Sequence, residues 1–243
     1  MSAPRFYCPA PLAPDATIQL PAALAHHAVR VLRLKPDTGI MLFDGLGGQY
    51  PSTLLIDGKQ AYARTGPHEA TEAELPGHIT LAQGMPSGDK MDWVIEKAVE
   101  LGAARLVPIE AQRSVTQLSG ERLRKRMEHW RRVAQAASEQ CGRNRLMEIS
   151  EPLSLAACLG ETDAAAQTLF CHPEAAQSLP DALDRSKDRI RLLVGPEGGW
   201  SPQEQALVEQ AGLTPVRFGN RVLRTETAGI ALIAAVSALR NWE

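Results

Sequence analysis

From His78 onward, short apolar runs of strand length alternate with longer segments of helical period, and this rhythm constrains the fold more than any other feature. Strands are expected at 79–82, 106–109, 168–171, 190–194 and 216–218, with helices over 89–101, 121–140 and 226–239 and a weaker one around Leu155. Such alternation predicts a mainly parallel α/β sheet with helices on its faces. Met91, Val94, Ile95, Ala98 and Leu101 fall on one helical face, closed by Gly102; Leu123, Met127, Trp130, Ala134 and Ala137 fall on another. Both stripes read as packing surfaces, Trp130 included. The last helix carries Ala228, Gly229, Ala231, Ala234, Ala235 and Ala238. Small residues on several sides let backbones approach, so this helix is expected to be buried all round, completing the core or a twofold interface.

Before His78 the pattern is different. Alternating runs at 40–43 and 53–56 are punctuated by Asp44-Gly45 and Asp57-Gly58, which suggests a small β-barrel, with Gly45-Leu46-Gly47-Gly48 as a hairpin turn. The acidic stretch 65–77, bracketed by Pro and Gly, is the best linker candidate. With 243 residues and 44% hydrophobic content the chain can bury an ordinary core, as one large or two modest domains. Its longest apolar runs are strand-sized or belong to the Ala-rich helix, and no signal sequence is evident, so membrane insertion and export lack support and a cytoplasmic protein is expected. Cys8, Cys141, Cys158 and Cys171 form no C-x-x-C pair and the six His no H-E-x-x-H, so neither a metal site nor a disulfide framework is expected. A net charge of -2 argues against an indiscriminate nucleic-acid binder. Between Arg113 and Arg145, however, nine basic residues face three acidic ones, which reads either as a phosphate-contacting face or as a solvated helix surface.

Two glycine-containing loops carry the chemistry. Gly195-Pro196-Glu197-Gly198-Gly199 follows the strand 190–194, and Gly219-Asn220-Arg221-Val222-Leu223-Arg224 follows 216–218. In a parallel sheet, ligands sit beyond the carboxyl ends of the strands, so the two loops read as walls of one small-molecule site. The first is braced from ahead by Ser201-Pro202-Gln203-Glu204, a helix start with a Ser cap, Pro at the first position and Glu three residues after the cap; Gly212 marks that helix's end. Neither G-x-x-x-x-G-K-[ST] nor G-x-G-x-x-G is present, which turns the reading away from ATP and NAD and towards a nucleoside or amino-acid moiety.

The string 193–201, followed by 219–228 with its Arg224-Thr225-Glu226-Thr227-Ala228, closely resembles the RsmE family: bacterial methyltransferases of the SPOUT superfamily that modify N3 of a uridine in 16S ribosomal RNA. The likeness extends to Gln83-Gly84-Met85-Pro86 with Lys90, to Glu96-Lys97-Ala98, Glu100-Leu101-Gly102, Glu139-Gln140 with Arg143, and to His26-His27 and Val31-Leu32-Arg33, so it spans almost the whole chain. Two departures stand out: Phe218, where the family more often has Leu, and Cys141, where Ser is frequent.

The resemblance implies a PUA-like RNA-binding β-barrel over 1–73 and a SPOUT methyltransferase domain over 74–243, whose mainly parallel sheet carries a deep trefoil knot. It also implies a homodimer acting on 16S rRNA, on the assembled small subunit, with S-adenosylmethionine as methyl donor and no metal. The matching cofactor positions are Leu169, Phe170 and Cys171; Gly195, Pro196, Glu197, Gly198 and Gly199; and Phe218, Gly219, Asn220, Arg221, Val222 and Leu223. Methylation at N3 needs alignment and removal of the N3 proton, and Arg221, Arg224 and Glu226 are the candidates for that work. Arg224 has the alternative of an ion pair with Glu226 at the helix start, and Glu197 the alternative of accepting loop N–H bonds. RNA contacts are expected from Arg30, Arg33 and Lys35 on the barrel and from Lys90, Arg113 and Arg143 near the cofactor. Ribose 2′-O-methylation on the same fold and a non-catalytic RNA-binding factor are the competing readings.

Overall fold

The structure, a computed structural model, describes residues 3–114, 118–161 and 163–242. The chain divides into two compact units. The first runs to Glu74 and takes back Ser138–Leu146; the second holds Leu75–Ala137 and the chain from Met147 onward.

In the first unit, β1 (Arg5–Tyr7), β2 (Thr17–Gln19), β3 (Gly39–Phe43), β4 (Tyr50–Asp57) and β5 (Gln60–Thr65) form one sheet in the order β1-β3-β4-β5-β2. β1 runs parallel to β3 and every other pairing is antiparallel. A short helix, α1 (Ala22–His26), continues into a π-helical turn, His27–Val31. Phe6, Leu24, Ala28, Ile40, Leu42, Leu54 and Ala63 meet in a single core, which the alternation in β4 and β5 supplies from every second residue. The glycines at 45, 47 and 48 turn the chain between β3 and β4 with positive φ, as the hairpin reading expects.

Residues 65–74 of the expected linker belong to this unit. Glu69 pairs with Gln49 through backbone and side chain, Glu72 accepts from Gly48 N–H and lies 3.4 Å from Arg145, and Glu74 holds Arg143. The acidic residues that gave the stretch its linker character are partners of side chains far away in sequence, two of them arginines.

The second unit is a seven-stranded, wholly parallel sheet in the order β10-β12-β9-β11-β6-β7-β8. Its strands are β6 (His78–Gly84), β7 (Arg105–Ile109), β8 (Glu148–Ile149), β9 (Ala166–Cys171), β10 (Gln177–Ser178), β11 (Arg189–Val194) and β12 (Pro215–Arg217). The helices are α2 (Lys90–Glu100), α3 (Gly120–Cys141, whose last residues from Ser138 belong to the first unit), α4 (Leu155–Gly160), α5 (Leu179–Ala182), α6 (Pro202–Gln210) and α7 (Thr225–Arg240). Central strands β6 and β11 are buried along nearly their whole length, as a sheet covered on both faces requires. α6 begins with a complete capping box: Ser201 Oγ accepts from Glu204 N–H at 3.1 Å and Glu204 Oε2 accepts from Ser201 N–H at 2.8 Å.

α7 differs from expectation. Thr225, Gly229, Leu232, Ile233 and Val236 are buried, against α2, β6 and β11, but Thr227, Ala234 and Ala238 are exposed. Burial all round is therefore corrected to a helix with one covered face and one open stripe of small residues. No helix among the described residues is long and apolar enough to cross a membrane. The four cysteines are free, with Cys8 and Cys158 buried.

Candidate active site

Beyond the carboxyl ends of β9, β11 and β12 lies a cavity of about 440 Å³, within the range typical of small-molecule sites. β9 delivers Cys171, then His172 and Pro173; β11 delivers Val194 and the loop residues Gly195, Pro196, Glu197 and Gly199, with Trp200 behind them. β12 contributes Val216, followed by Phe218, Arg221, Val222 and Leu223, and the start of α7 adds Arg224, Thr225, Glu226 and Ala228. Lys90, the first residue of α2, closes the wall.

Several expected cofactor residues only support this wall. Leu169 and Phe170 are buried within β9, where Phe170 packs on Trp200 with ring centroids 5.5 Å apart. Gly198 turns its carbonyl to Arg113 Nη1 at 3.2 Å, and Asn220 accepts from Arg217 at 3.1 Å, while the cavity lining passes over Gly198, Gly219 and Asn220. Phe218 and Val222 are exposed apolar side chains at the rim, available to cover a flat ligand.

A cluster of charge ties the wall together. Glu197 Oε1 receives Lys90 Nζ at 2.9 Å, Ser87 Oγ at 2.8 Å and Ser87 N–H at 3.0 Å. Burial alone would push its carboxyl up, but the Lys90 and Ser87 hydrogen bonds outweigh it and hold the group at about 2. Lys90 also lies 3.5 Å from Glu226 Oε1, and its own pKa is raised, chiefly by the hydrogen bond to Glu197. Lys90, expected to contact RNA, has its ammonium engaged by two carboxylates of the cavity. The alternative pairing of Arg224 with Glu226 does not form, because Glu226 faces Lys90 instead. Arg221 and Arg224 line the cavity as exposed side chains with no ion pair among the described residues.

Thr225 is a positioning residue that the motif reading passed over. Its hydroxyl donates to Gly195 C=O and accepts from Gln83 Nε2 at 2.8 Å, so the start of α7, the loop after β11 and the end of β6 share one buried junction. The indole N–H of Trp200 and Glu226 Oε2 are buried without hydrogen-bond partners among the described residues. Cys171 brings a thiol to the wall, and burial pushes it up to about 12. It therefore stays protonated and weakly nucleophilic.

The remaining RNA candidates divide between the two units. Arg30, Arg33 and Lys35 are exposed on the first unit, Arg33 with a φ of 56°, and Arg113 is exposed in the second. Arg143 is a correction. It is 3% exposed, and its guanidinium grips Glu74 in a fork, Nη2 to Oε2 at 2.6 Å and Nε to Oε1 at 3.0 Å. A buried, carboxylate-bound guanidinium belongs to the core of its unit and offers no surface to a phosphate.

A parallel sheet whose carboxyl strand ends carry glycine loops around a largely apolar cavity, edged by arginines, defines an α/β enzyme for a nucleoside-like ligand. Residues 73–237 match the model of the RNA methyltransferase domain family, and residues 20–65 that of the RNA methyltransferase PUA domain. The ribosomal RNA small subunit methyltransferase E of Synechocystis is 32% identical over 93% of this chain and 74% of its own length. A crystal structure of the ribosomal RNA small subunit methyltransferase E from Neisseria gonorrhoeae bound to S-adenosyl methionine is 35% identical, with a TM-score of 0.91 and 98% of both chains covered. A putative methyltransferase from Legionella pneumophila, in complex with the same cofactor, is 30% identical with a TM-score of 0.92 over 98% of both chains. The chain belongs to the RNA methyltransferase family, in the group of the ribosomal RNA small subunit methyltransferase E proteins.

Proposed function

We propose that this protein transfers a methyl group from S-adenosylmethionine to N3 of a uridine in 16S ribosomal RNA, acting as a cytoplasmic homodimer on the assembled small subunit. Ribosomal RNA methylation is the activity of its family. The observation that carries the reading is the cavity itself. Three strand ends, Lys90 and the first turn of α7 converge on one space, in a chain that matches a cofactor-bound relative along 98% of its length.

The residues present fit the cofactor. The space is of the right order, its floor is apolar, and Glu197 and Glu226, which share the single ammonium of Lys90, would leave net negative charge for a cationic donor. The one thiol in the wall is kept protonated by burial, so it does not compete with the RNA base as a methyl acceptor. When bound, S-adenosylmethionine supplies an electrophilic methyl on sulfonium. Positioning accounts for much of the acceleration, since holding two reactants in line replaces an encounter by an intramolecular step. Arg221 and Arg224 stabilise the charge that develops on the uracil carbonyl oxygens as the N3 proton leaves. Glu226 is the carboxylate nearest them in sequence and the candidate to receive that proton, with Lys90 fixing its Oε1.

Arg30, Arg33 and Lys35 on the first unit and Arg113 in the second supply phosphate contacts, whose joint strength falls with salt as counterions are released. The open stripe of Thr227, Ala234 and Ala238 supports a twofold interface, where small side chains let a second helix approach. The trefoil knot of the last segments is carried over from the family, and the Thr225 junction holds the start of α7 beside the loop after β11.

The test is incubation of small subunits lacking the modification with labelled S-adenosylmethionine, followed by nucleoside identification. Label in 3-methyluridine is the expected result; label on a ribose 2′-oxygen, or none, refutes the proposal. Arg224→Ala is expected to abolish transfer while calorimetric binding of S-adenosylmethionine persists, and wild-type turnover in that variant removes Arg224 from the mechanism.

A further inference from the structure

The opposite end of the same sheet carries a second cavity, of about 340 Å³. Parallel strands covered on both faces are normally apolar, yet β6, β7 and β11 begin with polar residues. The register sets Arg191 beside Thr80, Thr80 beside Arg105, and Arg189 beside His78. Residues two apart on a strand share a face, so all five line the cavity.

The arginines differ in how they are satisfied. Arg105 is held by Glu161 at 2.9 and 3.2 Å and by Glu148 at 3.2 Å, and Arg189 by Asp163 at 2.7 Å. Arg191 is 8% exposed, donates one hydrogen bond, Nη1 to Cys158 C=O at 3.0 Å, and forms no ion pair among the described residues. A guanidinium stays ionised and carries five N–H donors, so one that spends a single donor on the protein while lining a cavity has others to offer a ligand. The carboxyls of Glu161 and Asp163 are lowered first by their hydrogen bonds to Arg105 and Arg189 and last by the charge of Arg191, so they meet Arg191 through space and, among the described residues, leave its N–H groups without a direct carboxylate contact. His78 adds no further cation near neutrality, since burial first and Arg189 next hold its ring below the ordinary range.

We propose that this cavity is an oxyanion site, in which Arg191 takes a phosphate-like group in bidentate fashion and Thr80 Oγ completes the grip. Guanidinium forks match two oxygens of such a group. The site lies at the amino ends of the strands, the methyl-transfer cavity at their carboxyl ends, so this inference stands apart from the proposed function. The same oxyanion chemistry is offered by free phosphate and by an RNA backbone phosphate.

Inorganic phosphate is titrated into the full-length protein against chloride at matched ionic strength, and the melting temperature is followed. Wild type is expected to show a saturable phosphate-specific rise, Arg191→Met to lose it, and Thr80→Val to need at least about threefold more phosphate, the loss of one hydrogen bond. No phosphate-specific rise in wild type, or the same rise in Arg191→Met, overturns the site. Should Arg191→Met fail to fold, a tungstate soak of wild-type crystals decides: an anomalous peak within hydrogen-bond reach of Arg191 supports the site and its absence overturns it. An RNA-binding arm separates the sources. If the natural ligand is a backbone phosphate, Arg191→Met lowers RNA affinity and reduces the salt slope by about one; if it is a free anion, RNA affinity is unchanged while the phosphate response is lost.

Discussion

Substituting Gly84 by Ala tests whether the end of β6 sets the position of the cofactor loop. A Cβ there would stand 2.4 Å from Pro196 N, 2.7 Å from Pro196 Cδ and 2.8 Å from Gly195 C, against 3.4 Å for ordinary contact. These atoms belong to backbone and a proline ring, so no flexible side chain can yield and the loop must retreat. Relief requires a shift of about 1 Å, a displacement that costs about 10²-fold in rate when it disturbs a reacting geometry. Overpacking of this kind destabilises by about 1–3 kcal/mol, which in a protein of this size lowers Tm by about 2–12 °C. The assay pairs calorimetric melting with S-adenosylmethionine titration and single-turnover methyl transfer. Gly160→Ala is the control: nothing lies within 4 Å of its Cβ and its φ is unremarkable, so stability is expected to stay or rise slightly. If Gly84→Ala binds the donor and turns over as wild type does, the loop is not seated by β6 and the reasoning fails.

Two further perturbations probe the charge network. Glu197 is held at about 2, below its ordinary 4.5; a depressed carboxyl contributes stability above 4.5 that is lost as pH falls towards 2. With the side chain a third exposed, solvent screening leaves about 1 kcal/mol of that contribution. Urea melts of wild type and Glu197→Gln between pH 5.5 and 3 are expected to converge as the pH drops, and a constant gap would contradict the assignment. In the first unit, Glu74→Gln strands the buried Arg143 and is expected to destabilise by about 3–5 kcal/mol in equilibrium denaturation. A loss below about 1 kcal/mol would show that the ion pair does not anchor that unit.

Local signals carried the second unit a long way. The strand runs, the capping box at Ser201 and Glu204, and the closing Gly212 are each written within a few residues, and each element forms where expected. Strand order is different in kind. That β9 lies between β12 and β11 is decided by which apolar faces fit together, and no window of sequence contains that choice. The same limit hides the partners of charged residues. Arg143 belongs to a basic run and Lys90 to the first turn of an amphipathic helix, so both look like surface cations. Their partners lie 69 residues away at Glu74 and 107 away at Glu197, and only the fold brings them together. The acidic linker is the reverse side of that limit, because Glu69, Glu72 and Glu74 seem solvated until Gln49, Arg145 and Arg143 arrive. The Ala-rich α7 adds a third case. Small residues report that something can come close, but not whether it is this chain or another, so a helix read as buried all round is half open in the single chain. Glycine loops escape the limit, since their meaning is conformational and local, and that is why the two walls of the cavity were legible before the sheet that aligns them.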